Sequence, residues 1–219
     1  MDEQQLQSIA QQLRKPDGEQ GVMVGSMMNE GNRIINEYVL EMLDVQQGEK
    51  VLEIGMGNGY FVKDIVSTAS NIEYTGCDYS ETMITESGEM NKDLVEACKA
   101  RFHLVEADKL PFEDASFDKT FCVNVIYFWQ QPGNELAEIR RVLKRGGKFI
   151  IGIRPKHAMQ KMPFTKYGFT MYSKDELTAL LEANSFRVIN VLEKQEPPQE
   201  VNGMMMYPES LVVEATTVI

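Results

Sequence analysis

The 219 residues suit one domain of ordinary size, and 43% hydrophobic content is enough for a substantial buried core. With 33 acidic against 22 basic residues, the net charge of -11 repels a phosphate backbone and argues against nucleic acid as a general partner. The chain shows neither the charged and apolar regions of a signal peptide nor about 20 consecutive apolar residues, so no membrane span and a cytoplasmic location are expected. Cys77, Cys98 and Cys122 are too far apart for a metal or redox motif, and with only His103 and His157 no metal centre is expected.

Two helices are predicted first, Glu3–Arg14 and Met27–Leu43, separated by the breaker-rich segment Lys15–Gly21. In the second, Ile34, Ile35, Tyr38 and Met42 share a face that should pack on the main body. From Lys50 short apolar runs alternate with amphipathic stretches, as a parallel sheet covered by helices requires. The strand candidates are Val51–Ile54, Ile72–Cys77, Phe102–Val105, Phe117–Val125 and Phe149–Ile153, and the helices between them fall near Tyr60–Ser67, Ser80–Lys99 and Glu135–Leu143. The basic residues Arg140, Arg141, Lys144, Arg145 and Lys148 sit where that last helix should end, and complement its dipole better than they mark a binding patch. A methionine- and aromatic-rich segment, Pro155–Tyr172, precedes a capping box at Ser173–Glu176 and a helix to about Ala183. Phe186–Leu192 and Leu211–Thr217 read as two final strands joined by a loop.

The segment Val51-Leu52-Glu53-Ile54-Gly55-Met56-Gly57-Asn58-Gly59-Tyr60 runs from a buried strand through three alternate glycines into a helix. Glycine permits positive φ and lets a ligand reach the backbone, while the helix start offers free N–H groups, so together they make a small-ligand cradle. A dinucleotide fingerprint would place its third glycine where Tyr60 stands, which disfavours an NAD enzyme. Asp78 ends the next apolar run and can accept from both hydroxyls of a ribose; Ser80, two residues later, serves as the helix cap.

These segments resemble the class I S-adenosylmethionine-dependent methyltransferases, particularly the family that includes the ubiquinone and menaquinone C-methyltransferases. The resemblance covers Lys50 to Ile153 closely and rests on five segments in order. They are Val51–Gly59, Cys77-Asp78-Tyr79-Ser80 with Met83, Glu106–Phe112, Phe117-Asp118, and Arg141–Gly147. It implies an α/β Rossmann-like fold: a seven-stranded, mostly parallel sheet with the last strand antiparallel and helices on both faces. A single methyltransferase domain over 1–219 is expected, with 1–45 as a helical cover, 46–154 as the cofactor-binding core and 155–219 as substrate loop and C-terminal strands. It also implies S-adenosyl-L-methionine as cofactor. Gly55, Gly57 and Gly59 would contact its methionine and ribose parts, Glu53 would lie near the amino group, and Asp78 would bind the ribose. Asp108 would accept from the adenine amine, the Lys109 N–H would meet a ring nitrogen, Tyr79 and Met83 would flank the base, and Asn124 would lie beside the methionine portion.

A sulfonium methyl is already electrophilic, so positioning and exclusion of water can supply much of the catalysis, and no catalytic residue is singled out. Should a base assist, His157, Tyr127, Tyr167 and Tyr172 are the candidates. Met23–Asn32 and Pro155–Tyr172 should shape the acceptor site, with Ile126–Trp129 as an aromatic wall, which suits a small or medium, partly apolar acceptor. Tyr127-Phe128 stands where many relatives carry paired histidines, so their chemistry is not transferred. Two other functions remain compatible: a regulatory protein that binds the cofactor without transfer, and a nucleotide-linked oxidoreductase.

Overall fold

The computed structural model describes residues 1–201 and 204–218. Its centre is a seven-stranded sheet formed by β1 (Lys50–Ile54), β2 (Glu73–Asp78), β3 (Ala100–Leu104), β4 (Phe117–Val123), β5 (Leu143–Ile153), β6 (Phe186–Gln195) and β9 (Glu209–Thr217). The spatial order is β3-β2-β1-β4-β5-β9-β6. Pairings among β1 to β5 are parallel, whereas β9 runs antiparallel to both neighbours. The expected sheet, with its last strand reversed, is thus present, and β9 sits between β5 and β6.

Strand alternation sends neighbouring residues to opposite faces. Val51, Phe121, Ile150 and Val212 join one apolar cluster, while Leu52, Cys122, Ile151 and Val213 join the other. The first cluster is closed by α3 (Arg33–Leu43) and α4 (Val62–Ser67), through Ile35, Val39, Leu43, Val62 and Ile65. The second is closed by α7 (Pro132–Val142) and α9 (Lys174–Ala183), through Leu136, Ile139, Val142, Leu177 and Leu181. The buried stripe of α3 is therefore Ile35-Val39-Leu43; of the expected Ile34, Ile35, Tyr38 and Met42, Ile35 is buried and the other three are only partly covered.

The N-terminal cover departs from expectation. After α1 (Glu3–Arg14), the chain re-enters a helix directly, and α2 runs over Gly18–Gly31. Tertiary packing overrides the breakers here: the Gly18 N–H donates to Thr82 Oγ1 at 3.1 Å and the Ser80 hydroxyl donates to the Pro16 carbonyl, while Gly21 is buried beneath Pro16, where a Cβ would stand 2.6 Å from the proline carbonyl carbon. Asn32, with φ -104° and ψ 4°, then separates α2 from α3, so the predicted Met27–Leu43 helix is divided between two helices. The predicted Ser80–Lys99 helix is likewise divided, at Asn91, into α5 (Glu81–Met90) and α6 (Lys92–Glu96). The Asn91 amide donates to the Gly59 and Ser87 carbonyls, a tertiary demand that competes with continued helix. Cys98 lies beyond α6 at φ +56°, outside the helix that was to contain it.

β5 begins at Leu143 rather than Phe149, with an irregular register opposite Phe117 and Lys119. The loop expected before the final strand contains a hairpin, β7 (Gln199–Val201) with β8 (Met204–Met206). A short helix, α8 (Lys156–Met159), follows β5. The basic residues near the end of α7 are drawn into ion pairs: Arg141 with Glu138 and Asp114, Lys144 with Asp118, and Lys148 with Glu214. Among the described residues, no helix is long and apolar enough to cross a membrane.

Candidate functional site

The chain runs outward from β1 through β2 to β3, then returns to place β4 beside β1. A crevice opens beyond the strand C-termini where the order reverses. It holds a cavity of about 300 Å³. Its floor is the turn after β1, where Gly55, Gly57 and Gly59 have φ of +70°, +60° and +70°, conformations that cost an L-residue about 1–2 kcal/mol. The three glycines serve different ends. A Cβ at Gly55 would stand 2.3 Å from Val125 Cγ2, and one at Gly59 would stand 2.9 Å from the Ser87 and Asn91 side chains. Only at Gly57 is the space open, with no atom within 4 Å. Gly55 and Gly57 line the cavity; Gly59 does not, because its bare face is used to seat α5.

Two carboxylates flank this turn. Asp78, 7% exposed, accepts from the Gly57 N–H at 3.1 Å and the Ser80 N–H at 2.9 Å, so its head is fixed at the end of β2. Burial raises its pKa to about 6, against the lowering effect of those N–H groups and of Lys15. Glu53, 5% exposed, accepts from the Tyr74 hydroxyl at 2.5 Å. Burial lifts it to about 7, the Tyr74 bond opposes the rise and the charge of Asp78 adds to it. Both groups are thus short of solvation, and a cation or multiple hydrogen-bond donor would relieve them.

The remaining walls come from distant segments. Tyr79 and Met83 line the cavity, the tyrosine hydroxyl donating to the Arg14 carbonyl and the methionine buried beneath α2 beside Gly25. Asp108 stands at an exposed rim. Asn124, at φ +57°, lines the opposite side, donating to Asn32 Oδ1 and accepting from Tyr127, both at 3.0 Å. Lys109 lies outside the lining, and its N–H donates to the Glu106 carbonyl at 3.2 Å, so the expected contact to a ring nitrogen is not available in this conformation.

None of the four proposed bases lines the cavity. Tyr127 is buried, its hydroxyl is committed to Asn124 and the Arg154 backbone, and burial pushes its pKa well up. His157 pairs with Glu209 at 2.7 Å, Tyr167 donates to Glu3 on α1, and Tyr172 packs into the core. The Pro155–Tyr172 segment also contributes nothing to the lining. It backs the wall instead, with Phe169 against Phe128 at 4.7 Å and the Thr170 N–H bonded to the Tyr127 carbonyl. Met23–Asn32 does contribute, through Gly25, Met28, Asn29 and Asn32. Phe128 and Trp129 supply the expected aromatic wall.

Among the lining residues that escaped the sequence reading are Asn36, Phe61 and Glu135. Asn36 carried a signal, since it follows Asn32, the end of the expected segment, at the helical interval of four. Glu135 carried none, because an acidic residue in a first helical turn is ordinary.

A doubly wound α/β sheet with an open glycine turn and a carboxylate at the tip of the adjoining strand defines a protein that binds a nucleotide-like ligand at its switch point. Residues 52–151 match the family described as a methyltransferase domain. The chain is 26% identical over 137 residues to the uncharacterized methyltransferase YdaC of Bacillus subtilis (strain 168), covering 63% of this chain and 74% of that protein. It is 26% identical over 183 residues to the ubiquinone/menaquinone biosynthesis C-methyltransferase UbiE of Saccharophagus degradans, with coverage of 80% and 72%. A SAM-dependent methyltransferase from Aquifex aeolicus has the same fold, with a TM-score of 0.71 at 22% identity over 90% of this chain and 98% of that one. Residues 52–151 are thus similar to a methyltransferase domain, and the fold is that of S-adenosylmethionine-dependent methyltransferases.

Proposed function

We propose that the switch-point cavity holds S-adenosylmethionine through Glu53, Gly55, Gly57, Asp78, Tyr79, Met83, Asp108 and Asn124. The acceptor, on this proposal, is a small or medium, partly apolar molecule that enters beneath the N-terminal cover. The observation that carries the proposal is convergence: the open face of Gly57 and the under-solvated carboxylates of Glu53 and Asp78 border one cavity. The residues suit the cofactor. Asp78 can accept from ribose hydroxyls, Glu53 can meet an ammonium group, and the bare Gly57 turn admits a ligand against main chain. When bound, the cofactor supplies an electrophilic methyl on a sulfonium.

The chain's own contribution is positional. Hydrogen bonds linking Asn32, Asn124 and Tyr127 tie the cover to the end of β4, holding that wall at a set distance from the glycine turn. Contacts from Tyr79 to the Arg14 carbonyl and from Ser80 to the Pro16 carbonyl close the cover over the β2 tip and exclude water. Leu13, Met28, Phe61, Phe128 and Trp129 make the lining largely apolar, while Asn29 and Asn36 offer neutral polar contacts. With no proposed base in the lining, alignment of the acceptor carries the rate. On the same proposal, residues 1–219 act as one methyltransferase domain, with 1–45 as the cover.

The test is incubation of the protein with methyl-labelled S-adenosylmethionine and fractionated metabolite pools, followed by mass analysis. Label is expected in a small, partly apolar product. Cofactor binding without labelled product in any pool would instead indicate a binding protein, and label confined to polymers would refute the small acceptor.

A further inference from the structure

We propose that Glu135 accepts a second hydrogen from the exocyclic amine of the cofactor's adenine, so that Glu135 and Asp108 together select an aminopurine over an oxopurine. The inference rests on the cofactor site proposed above and adds a specificity residue to it.

Glu135 stands in the first turn of α7 and is 8% exposed. Its Oε2 is buried without a hydrogen-bond partner, and no ion pair involves the residue among the described residues. A buried carboxylate oxygen with no donor is costly unless something else supplies one. The residue lines the cavity, so the missing donor can come from a ligand. The same wall carries Glu106 and Asp108, whose charges are near enough to raise the Glu135 pKa along with burial. Three carboxylates on one wall favour N–H donors and repel a carbonyl oxygen or a phosphate.

The two sides of this wall are complementary to one amine. Asp108 approaches from the exposed rim and Glu135 from the buried side. An exocyclic amine has two hydrogens, so both carboxylates can be satisfied at once. An oxopurine would set its carbonyl oxygen against acceptors, with no hydrogen to offer from that position.

The test is calorimetric titration of the full chain near pH 8 with S-adenosylhomocysteine and S-inosylhomocysteine. The wild type is expected to prefer the adenosyl compound by about tenfold or more, the worth of a charge-assisted hydrogen bond. Glu135→Gln keeps the shape and can turn an amide N–H toward a carbonyl. It should weaken the adenosyl compound about tenfold and leave the inosyl compound equal or tighter. Glu135→Ala should weaken the adenosyl compound similarly without gain for the other. Asp78→Asn, as a control, should weaken both ligands alike. If Asp78→Asn weakens both while neither Glu135 variant changes the ratio, the inference about Glu135 is overturned and the cofactor site stands. If the wild type binds neither compound, the cofactor site fails and takes the inference with it.

Discussion

Glu53→Gln should stabilise the cofactor-free protein at alkaline pH and do much less in acid. Glu53 is 5% exposed, and its pKa rises from 4.5 to about 7, chiefly through burial. Because the folded value lies above the unfolded one, the stability associated with the neutral carboxyl is complete below about pH 4.5. It is lost as the pH climbs through about 7. Each pKa unit corresponds to about 1.4 kcal/mol, so ionised Glu53 costs the fold about 3 kcal/mol near pH 8 and about 1 kcal/mol near pH 5. Glutamine removes the charge and keeps an oxygen for the Tyr74 hydroxyl, so the comparison isolates ionisation. At about 2–4 °C per kcal/mol for a chain of this size, the melting difference between variant and wild type should widen by about 4–8 °C from pH 5 to pH 8. Scanning calorimetry at the two pH values measures it. A difference that does not change with pH, or that favours the wild type at pH 8, refutes the claim that an under-solvated charge is stored here. Cofactor binding should move the other way: the variant loses the negative partner for a cationic ligand, so its affinity should fall even as its stability rises.

Gly55→Ala and Gly57→Ala should separate packing from ligand access. The first combines φ +70° with a 2.3 Å clash and should cost about 2–4 kcal/mol in urea denaturation, while the second, with open space, should cost about 1 kcal/mol yet weaken cofactor binding more than tenfold. Asp78→Ala should reduce affinity for S-adenosylhomocysteine by about 1.5–3 kcal/mol, read by calorimetry, because a charge-assisted contact to hydroxyls is lost. In thermal melts, S-adenosylmethionine or S-adenosylhomocysteine should raise the midpoint and NAD should not; the reverse result would contradict the cofactor site.

The cofactor half of the molecule was legible because its determinants are local. Val51 and Leu52 announce opposite faces of a buried strand, three alternate glycines announce the turn, and Asp78 is the last residue of its strand. Errors came where a remote contact outvoted local preference. The Ser80 and Thr82 hydroxyls hold Pro16 and Gly18 where a helix starts among apparent breakers, and the Asn91 amide serving Gly59 divides a helix that periodicity would continue. Gly59 itself was legible as a glycine and misread in purpose, since its φ of +70° serves the turn while its missing Cβ makes room for Ser87 and Asn91.

The acceptor half is harder to read because facing a cavity is a property of the assembly, not of a segment. Asn29, Asn32 and Asn36 would be an unremarkable polar stripe on an isolated helix; they line the cavity because α2 and α3 join at Asn32, which Asn124 ties to the end of β4. Conversely, Pro155–Tyr172 has the apolar content of a pocket but packs behind Phe128, one layer removed. Substitutions there can reach the acceptor only by shifting that aromatic wall, whereas changes at the three asparagines act on the cavity directly. Acceptor preference should therefore track the amide pattern of the cover more closely than the methionine content of the later segment.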